Sequence, residues 1–221
     1  MWRLLGSALV LLAVLTCAPA QSAGFRLLRI DGLRMKWGAP AFGEGAQASY
    51  GFATIAETFP DAINCGEMAP MAALSRVWGG DPALLERIAA EAFAMWSAAS
   101  AIVFRRAEPG ERPDILIGAQ GEPRRVAFAN VWFDAEAARN GIAPLTRATI
   151  CFNPAAPWAS EAMLMGDRLS LRTVLAHEIG HAIGLDHPGA TGALMGFQAQ
   201  PTLDHLLAGD VAGAVALYGE R

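Results

Sequence analysis

Apolar residues recur every three or four positions in two stretches of the chain, and this spacing predicts amphipathic helices. In the first stretch Asp81 suits the N-cap and Pro82 the first turn, so we expect a helix from there to about Ala99. Its apolar face consists of Leu84, Leu85, Ile88, Ala89, Ala92, Phe93 and Trp96. A face of this width is typical of a helix that packs on a core.

The second helical stretch follows Ser170, a residue type that is favoured at the N-cap. Its apolar positions cover one side of the helix and leave the other side free for polar groups. These positions are Leu171, Leu175, Ile179, Ala182 and Ile183. A last and shorter helix is expected from about Asp210 to Tyr218.

Short apolar or alternating runs elsewhere predict β-strands. These runs are residues 47–53, 102–105, 115–117, 126–133 and 149–152, of which 102–105 and 115–117 are expected to be buried. Residues 24–35 give no clear pattern, and residues 54–80 predict a long loop with a short helix. Strands and helices in this order indicate the α+β class, with a mixed sheet backed by helices.

The N-terminal residues have the pattern of a secretory signal peptide. Arg3 precedes an apolar run over residues 4–15, and Ala18-Pro19-Ala20 fits a signal-peptidase site. The apolar run is short for a transmembrane helix. We therefore predict that residues 1–20 are a signal peptide and that residues 21–221 form one secreted or periplasmic domain without a membrane span. An uncleaved anchor is the alternative.

Composition and charge narrow the range of partners. Of the 221 residues, 17 are basic and 21 are acidic, and the chain has no basic run of the kind that binds nucleic acid. Hydrophobic residues make up 53% of the chain, which is enough to build a core. We expect no nucleic-acid partner, and the sequence does not define the oligomeric state.

Three of the four histidines lie in one short segment, residues 177–187. His177 and His181 are four residues apart, so on a helix both project from the same face and can bind one Zn²⁺. Gly184 permits a sharp turn that would bring His187 round as a third ligand. Three protein ligands leave a fourth position open for water, which is typical of a catalytic zinc site.

This segment resembles the metzincin zinc endopeptidases, whose pattern is HExxHxxGxxH followed by a Met-turn. Ala193-Leu194-Met195-Gly196 lies at the Met-turn position, so the resemblance places Met195 beneath the metal. Gly209-Asp210-Val211 and Leu217-Tyr218-Gly219 resemble the C-terminal helix of one metzincin group, the matrixins. The resemblance implies a metzincin-like zincin fold with the zinc helix at the cleft.

The chain also departs from these families. Pro188, after the third histidine, is similar to the serralysins, but Phe197 stands where serralysins carry a tyrosine that can join the zinc. The second zinc site of vertebrate matrixins needs several histidines, and only His205 is left over. We therefore expect one zinc ion. Calcium stays open but is not indicated.

The resemblance implies a zinc-dependent endopeptidase in which Glu178 is the general base. A protein or peptide substrate is expected to lie extended along an edge strand, for which residues 126–131 are the candidate. The wall after His187, through Phe197, would favour a hydrophobic side chain. The alternative is a non-catalytic secreted interaction module in which zinc only stabilises the fold.

Two cysteines remain after the predicted signal peptide, Cys65 and Cys151. An even pair in an oxidising compartment favours one disulfide. Two buried free thiols are one alternative. The other comes from the matrixin resemblance, in which a cysteine of the propeptide occupies the open zinc position, although the residues around Cys65 match that switch poorly.

Overall fold

A mixed β-sheet and the helices packed against it position every residue of the predicted metal site. The computed structural model describes residues 24–75, 79–159, 168–189, 193–197 and 203–221. The predicted signal peptide therefore lies outside the described residues and stays a prediction. The α+β class expected from the sequence is confirmed.

The described residues form eleven strands and three α-helices. The helices are α1 (Pro82–Ala99), α2 (Leu171–Ala182) and α3 (Ala208–Tyr218). The strands are β1 (Arg26–Leu27), β2 (Arg29–Ile30), β3 (Leu33–Lys36), β4 (Ala46–Phe52), β5 (Glu57–Thr58), β6 (Glu67–Ala69), β7 (Ile102–Arg106), β8 (Ile115–Gln120), β9 (Ala127–Phe133), β10 (Ile142–Phe152) and β11 (Leu185–Asp186). The predicted helix starts hold, because the side chains of Asp81 and Ser170 each accept a main-chain N–H at the N-cap.

Nine of these strands form the main sheet, whose central path runs in the order β2-β3-β10-β8-β4-β7. Strands β3 and β8 are parallel to β10, and β4 is parallel to both β7 and β8. Strand β9 runs antiparallel to β10. Among the described residues β9 has no second partner strand, so one of its edges is open.

Helices α1 and α2 pack together on one face of the sheet. Trp96 of α1 is fully buried, and its indole N–H donates to the carbonyl of Ala176 in α2 at 2.9 Å. Phe93 stacks on Tyr50 of β4 with ring centroids 4.1 Å apart. Burial of aromatic side chains of this size contributes much of the core stability, and it fixes α2 relative to the sheet.

Several boundaries differ from the predicted ones. Strand β10 begins at Ile142, well before the predicted run at 149, because its first residues pair with β3 rather than following an apolar pattern. The prediction that residues 102–105 are a buried strand is wrong in part, since β7 is at the sheet edge and Val103 is 53% exposed. Residues 24–35, which gave no pattern, contain β1 and β2 and the start of β3.

A second, smaller core lies on the other side of the sheet and includes part of the long loop predicted at 54–80. Its buried residues are Ala53, Phe59, Cys65, Met68, Leu116 and Cys151. Cys65 and Cys151 are joined by a disulfide, which ties this loop to β10. The short helix expected in the long loop is a 3₁₀ helix, Met71–Leu74, and the loop also contains the short strands β5 and β6.

Candidate metal centre

Helix α2 presents two of the histidines to a cleft while its other side is packed into the core. Ile179 and Ala182 are fully buried, whereas His177 and His181 keep part of their surface exposed. This division follows from the helical period, because positions four apart share a face. Helix α2 is therefore anchored by its apolar side and presents both imidazoles, partly buried, to the cleft.

Gly184 makes the turn that brings the third histidine to the other two. Its φ is +104°, a conformation that side chains rarely adopt, and a Cβ added there would collide with the carbonyl oxygen of Met35. Only glycine therefore allows this close approach of the turn to β3. Beyond the turn, the main-chain N–H of His187 donates to the carboxylate of Asp186 at 2.8 Å.

The three imidazoles converge through their Nε2 atoms. The Nε2 atom of His187 lies 3.2 Å from Nε2 of His177 and 3.2 Å from Nε2 of His181. Tetrahedral zinc with Zn–N bonds of about 2.0–2.1 Å places its ligand nitrogens about 3.3 Å apart. The arrangement thus fits one zinc ion, with a fourth position left for water or substrate.

Hydrogen bonds on the far side of two rings fix which nitrogen faces the metal. The Nδ1 atom of His177 donates to the carbonyl of Leu194 at 2.6 Å, and that of His181 donates to the carbonyl of Leu185 at 2.9 Å. Both Nε2 atoms then carry lone pairs that point toward each other and toward His187. Lone pairs this close repel each other unless a proton or a cation lies between them, and one zinc ion bound by all three rings would satisfy them together.

Burial keeps these imidazoles neutral, which is the form that binds metal. Loss of solvent lowers the pKa of His177 and of His187, and it lowers the pKa of His181 to about 3. For His187 the neighbouring carboxylate of Asp186 partly opposes this shift. Protons therefore compete weakly with a metal ion at the site.

Glu178 lies beside the first ligand and is 6% exposed. Burial raises the pKa of its carboxyl group to about 8, and the main-chain N–H of Ala129 in β9 opposes this rise by donating to the carboxylate. A divalent cation nearby favours the charged form of a carboxyl group. Glu178 thus stands between the metal site and the open edge of β9.

Met195 contacts the helix that carries two of the histidines, and Asp210 holds the segment that contains Met195. A Cβ added to Gly180 would collide with the sulfur of Met195, so the methionine packs directly against α2. The buried carboxylate of Asp210 accepts the main-chain N–H groups of Leu194 and Met195 at 2.8 and 3.0 Å. Because the carbonyl of Leu194 holds His177, Asp210 supports the first ligand indirectly.

Asp210, Trp37 and Tyr218 were not among the site residues predicted from the sequence. The indole N–H of Trp37 donates to the carbonyl of Ala182 at 2.9 Å, and the hydroxyl of Tyr218 donates to the carbonyl of Ile183 at 2.7 Å. They pair the last carbonyls of α2 just before the Gly184 turn. For Asp210 a signal was available, namely an acidic residue within an otherwise apolar helical segment.

A cleft of about 1130 Å³ contains the three histidines and Glu178. It runs along residues 126–133, so the predicted edge strand lines it. Phe197 lies on its rim, 72% exposed, with its ring centroid 5.1 Å from that of His187. The cleft therefore lies between β9 and the histidines.

The two cysteines and His205 lie outside the histidine cluster. Cys65 and Cys151 form the disulfide described above, so neither thiol is placed to bind the metal. His205 lies on the surface, paired with Asp204 at 2.9 Å. Within the described residues the histidine triad is the one cluster that could hold a metal ion, and no described helix is long and apolar enough to cross a membrane.

Comparison with known proteins gives a consistent result. A family model described as Matrixin matches residues 81–219. Matrix metalloproteinase-19 of mouse is 33% identical over 134 residues, which cover 59% of this chain and 24% of that protein. The human protein of the same name is 31% identical over 134 residues, with 59% and 25% covered. The chain thus matches only about a quarter of the length of these relatives.

The matched region contains the three histidines, Glu178 and the three described α-helices. Matrixins are zinc enzymes, and the triad of His177, His181 and His187 is placed to bind a zinc ion. The predicted resemblance to the matrixins is confirmed over more than half of the sequence: this chain belongs to the matrixin family.

Proposed function

We propose that the protein is a secreted zinc-dependent endopeptidase that cleaves extended protein or peptide substrates. The observation that carries this proposal is the convergence of three Nε2 atoms beside a buried carboxylate, at the floor of an open cleft. A zinc site that only stabilised the fold would have a fourth protein ligand and no need of a cleft. Here the fourth side is open to the cleft.

Glu178 would act as the proton carrier of the reaction. When bound, zinc supplies Lewis acidity: it polarises the substrate carbonyl and lowers the pKa of water to about 7. The Glu178 carboxylate would take the proton of the attacking water and deliver it to the nitrogen of the leaving amine. Its position next to His177 and its burial hold it close to both groups without making it a ligand.

Strand β9 would bind the main chain of the substrate. Its free edge faces the cleft, and main-chain hydrogen bonds to an exposed strand edge bind peptides with little regard to their side chains. Phe197, exposed beside His187, would contribute an apolar wall. This arrangement favours an unfolded or loop segment over a compact substrate.

Export is supported by the chemistry of the cysteines. A disulfide such as Cys65–Cys151 persists in an oxidising compartment and is rare in the cytosol. Residues 1–20 have the pattern of a signal peptide, so we propose that residues 21–221 are the exported catalytic domain.

The decisive experiment is the substitution Glu178→Gln in the purified protein. We expect zinc content to stay at one ion per chain and peptide cleavage to fall by about 10²–10⁴-fold, because glutamine keeps the shape but cannot carry a proton. Glu220→Gln, an exposed change outside the cleft, is the matched control. Near-normal turnover by Glu178→Gln would refute the mechanism, and loss of zinc would show that Glu178 supports the metal instead.

A further inference from the structure

One isoleucine on the rim of the cleft is far more exposed than its apolar character favours. Ile63 is 81% exposed, and its side chain lines the same cleft as the three histidines. Among the large exposed apolar residues of the described chain, only Ile63 and Phe197 line this cleft. Exposed apolar surface at a cleft marks a site of contact with a ligand.

Ile63 lies on the rim loop, which consists of residues 59–66. This loop is fixed at both ends. The N–H of Phe59 donates to the carbonyl of Gly66 at 2.7 Å, which closes the loop at its base. The disulfide from Cys65 to Cys151 ties it to β10. The ring of Phe59 packs on Trp132 of β9, with centroids 5.8 Å apart.

Asn64 attaches the tip of the rim loop directly to the substrate-facing strand. Its main-chain N–H donates to the side-chain oxygen of Asn130 at 3.0 Å, and its side-chain amide lies 3.4 Å from the carbonyl of Ala129. Asn130 is held in turn by Thr149 of β10. Ala129 is also the residue whose N–H faces Glu178, so the rim loop is anchored on the same edge of β9 as the proposed general base.

A second cavity of about 440 Å³ continues from the cleft on the far side of the rim loop. Ile63, Asn64, Arg124 and Phe128 line both cavities, so Ile63 lies where the two meet. A peptide that extends along β9 toward Arg124 must therefore pass beside Ile63. The rim loop precedes residues 81–219, the part that matches the matrixin model.

We propose that the rim loop is a preformed wall of the substrate cleft and that Ile63 is a specificity-determining residue. It selects peptides that carry an apolar side chain at the position beside it. The proposal rests on the proposed function, since it concerns the substrate of the same site. The hydrogen bonds of Asn64 and the disulfide hold the isoleucine in place before substrate arrives, so little ordering cost is incurred on binding.

The effect of the isoleucine follows from the apolar surface it can cover. Contact with an apolar substrate side chain would remove one to two methylene groups from water, which corresponds to about four- to fifteenfold in kcat/KM. Because Ile63 is not among the groups that touch the reacting atoms, the change is expected mainly in KM. A polar substrate side chain at that position gains nothing from it.

The test compares Ile63→Ser with Ile55→Ser in the zinc-loaded protein. Ile55 is also exposed, at 68%, and lies in the same long loop but does not line the cleft, so it is a matched control. A peptide library with one fixed cleavage site and every flanking position varied is digested by each protein. We expect Ile63→Ser to lose about four- to fifteenfold for peptides that are apolar at one flanking position, with polar peptides and zinc affinity unchanged, and Ile55→Ser to match the wild type.

Each other outcome has a defined meaning. If Ile63→Ser keeps the wild-type library profile, or loses activity equally on all peptides, the specificity role is overturned while the endopeptidase function stands. If the wild-type protein with zinc bound cleaves no peptide in the library, the proposed function fails and the role of Ile63 fails with it.

Discussion

Removal of the Cys65–Cys151 disulfide should lower the stability of the protein strongly without disrupting the metal site. The double substitution Cys65→Ser, Cys151→Ser opens a loop whose ends are 86 residues apart in sequence. The chain-entropy relation gives about 4–5 kcal/mol for a loop of this length. Both cysteines are buried, at 5% and 0% exposure, so the two hydroxyl groups also enter an apolar cluster and add to the loss.

The same free energy can be expressed as a shift in melting temperature. A domain of about 200 residues unfolds with an entropy of about 0.4 kcal/mol/K, so 4–5 kcal/mol corresponds to about 10–12 °C. The three histidines are not in the small core that contains the disulfide. We therefore expect the variant to keep its zinc content at 25 °C while melting at a clearly lower temperature.

Circular dichroism during heating, at one fixed concentration of free zinc, measures this shift without a change in the metal contribution. A reductant supplies the control: it should lower the melting temperature of the wild-type protein and leave that of the variant unchanged. A difference in unfolding free energy below about 1 kcal/mol would refute the argument. It would mean that the unfolded chain is already held together in this region without the bridge.

Two further predictions concern the third ligand. His187→Ala should weaken zinc binding by more than about 100-fold, which is the largest effect expected from losing only a supporting contact. The far-UV circular dichroism should stay unchanged because α2 ends before the turn. Full zinc occupancy after dialysis would place the third ligand elsewhere. Gly184→Ala should cost more than about 1–2 kcal/mol of stability, from the positive φ alone, and should weaken zinc binding. Gly189→Ala, at a position with open space around it, is the control. Equal denaturation midpoints of the two variants would contradict the prediction.

The parts of the fold that the sequence predicted correctly are those set by local pattern. Helices α1 and α2 were predicted with their N-caps because apolar spacing and capping residues act within a few positions. The histidine cluster was predictable for the same reason, since the ligands span only residues 177–187. Elements of this kind need no knowledge of what lies across the fold.

The start of β10 shows why other elements were missed. Residues 142–148 include Pro144 and Arg147 and show no alternation, which argues against a strand. They are extended because Ala143 pairs with Met35 of β3 and the carbonyl of Pro144 accepts the N–H of Asp134. Tertiary pairing thus decides the conformation where local propensity is weak.

The supports of the metal site were hidden for a related reason, namely long sequence separation. The indole N–H of Trp37 donates to the carbonyl of Ala182, which is 145 positions away in sequence. The main-chain N–H of Trp37 donates to the hydroxyl of Tyr218, which is 181 positions away. No periodicity links residues so far apart. The sequence could mark the three histidines as ligands and carried a signal for Asp210, but it could not link Trp37 and Tyr218 to them.

The metal site consequently extends beyond the region that matches other matrixins. The matched region begins at residue 81, yet the turn at Gly184 is shaped by residues before it: the N–H of Leu28 donates to the carbonyl of Gly184 at 2.8 Å, and Met35 closes against the turn. Trp37 pairs the carbonyl of Ala182 in the same place. Without residues 24–75 these carbonyls would lose their partners, and a buried unpaired carbonyl costs about 1–3 kcal/mol. The position of His187 is therefore a property of the whole domain, and the HExxHxxGxxH segment alone does not determine it.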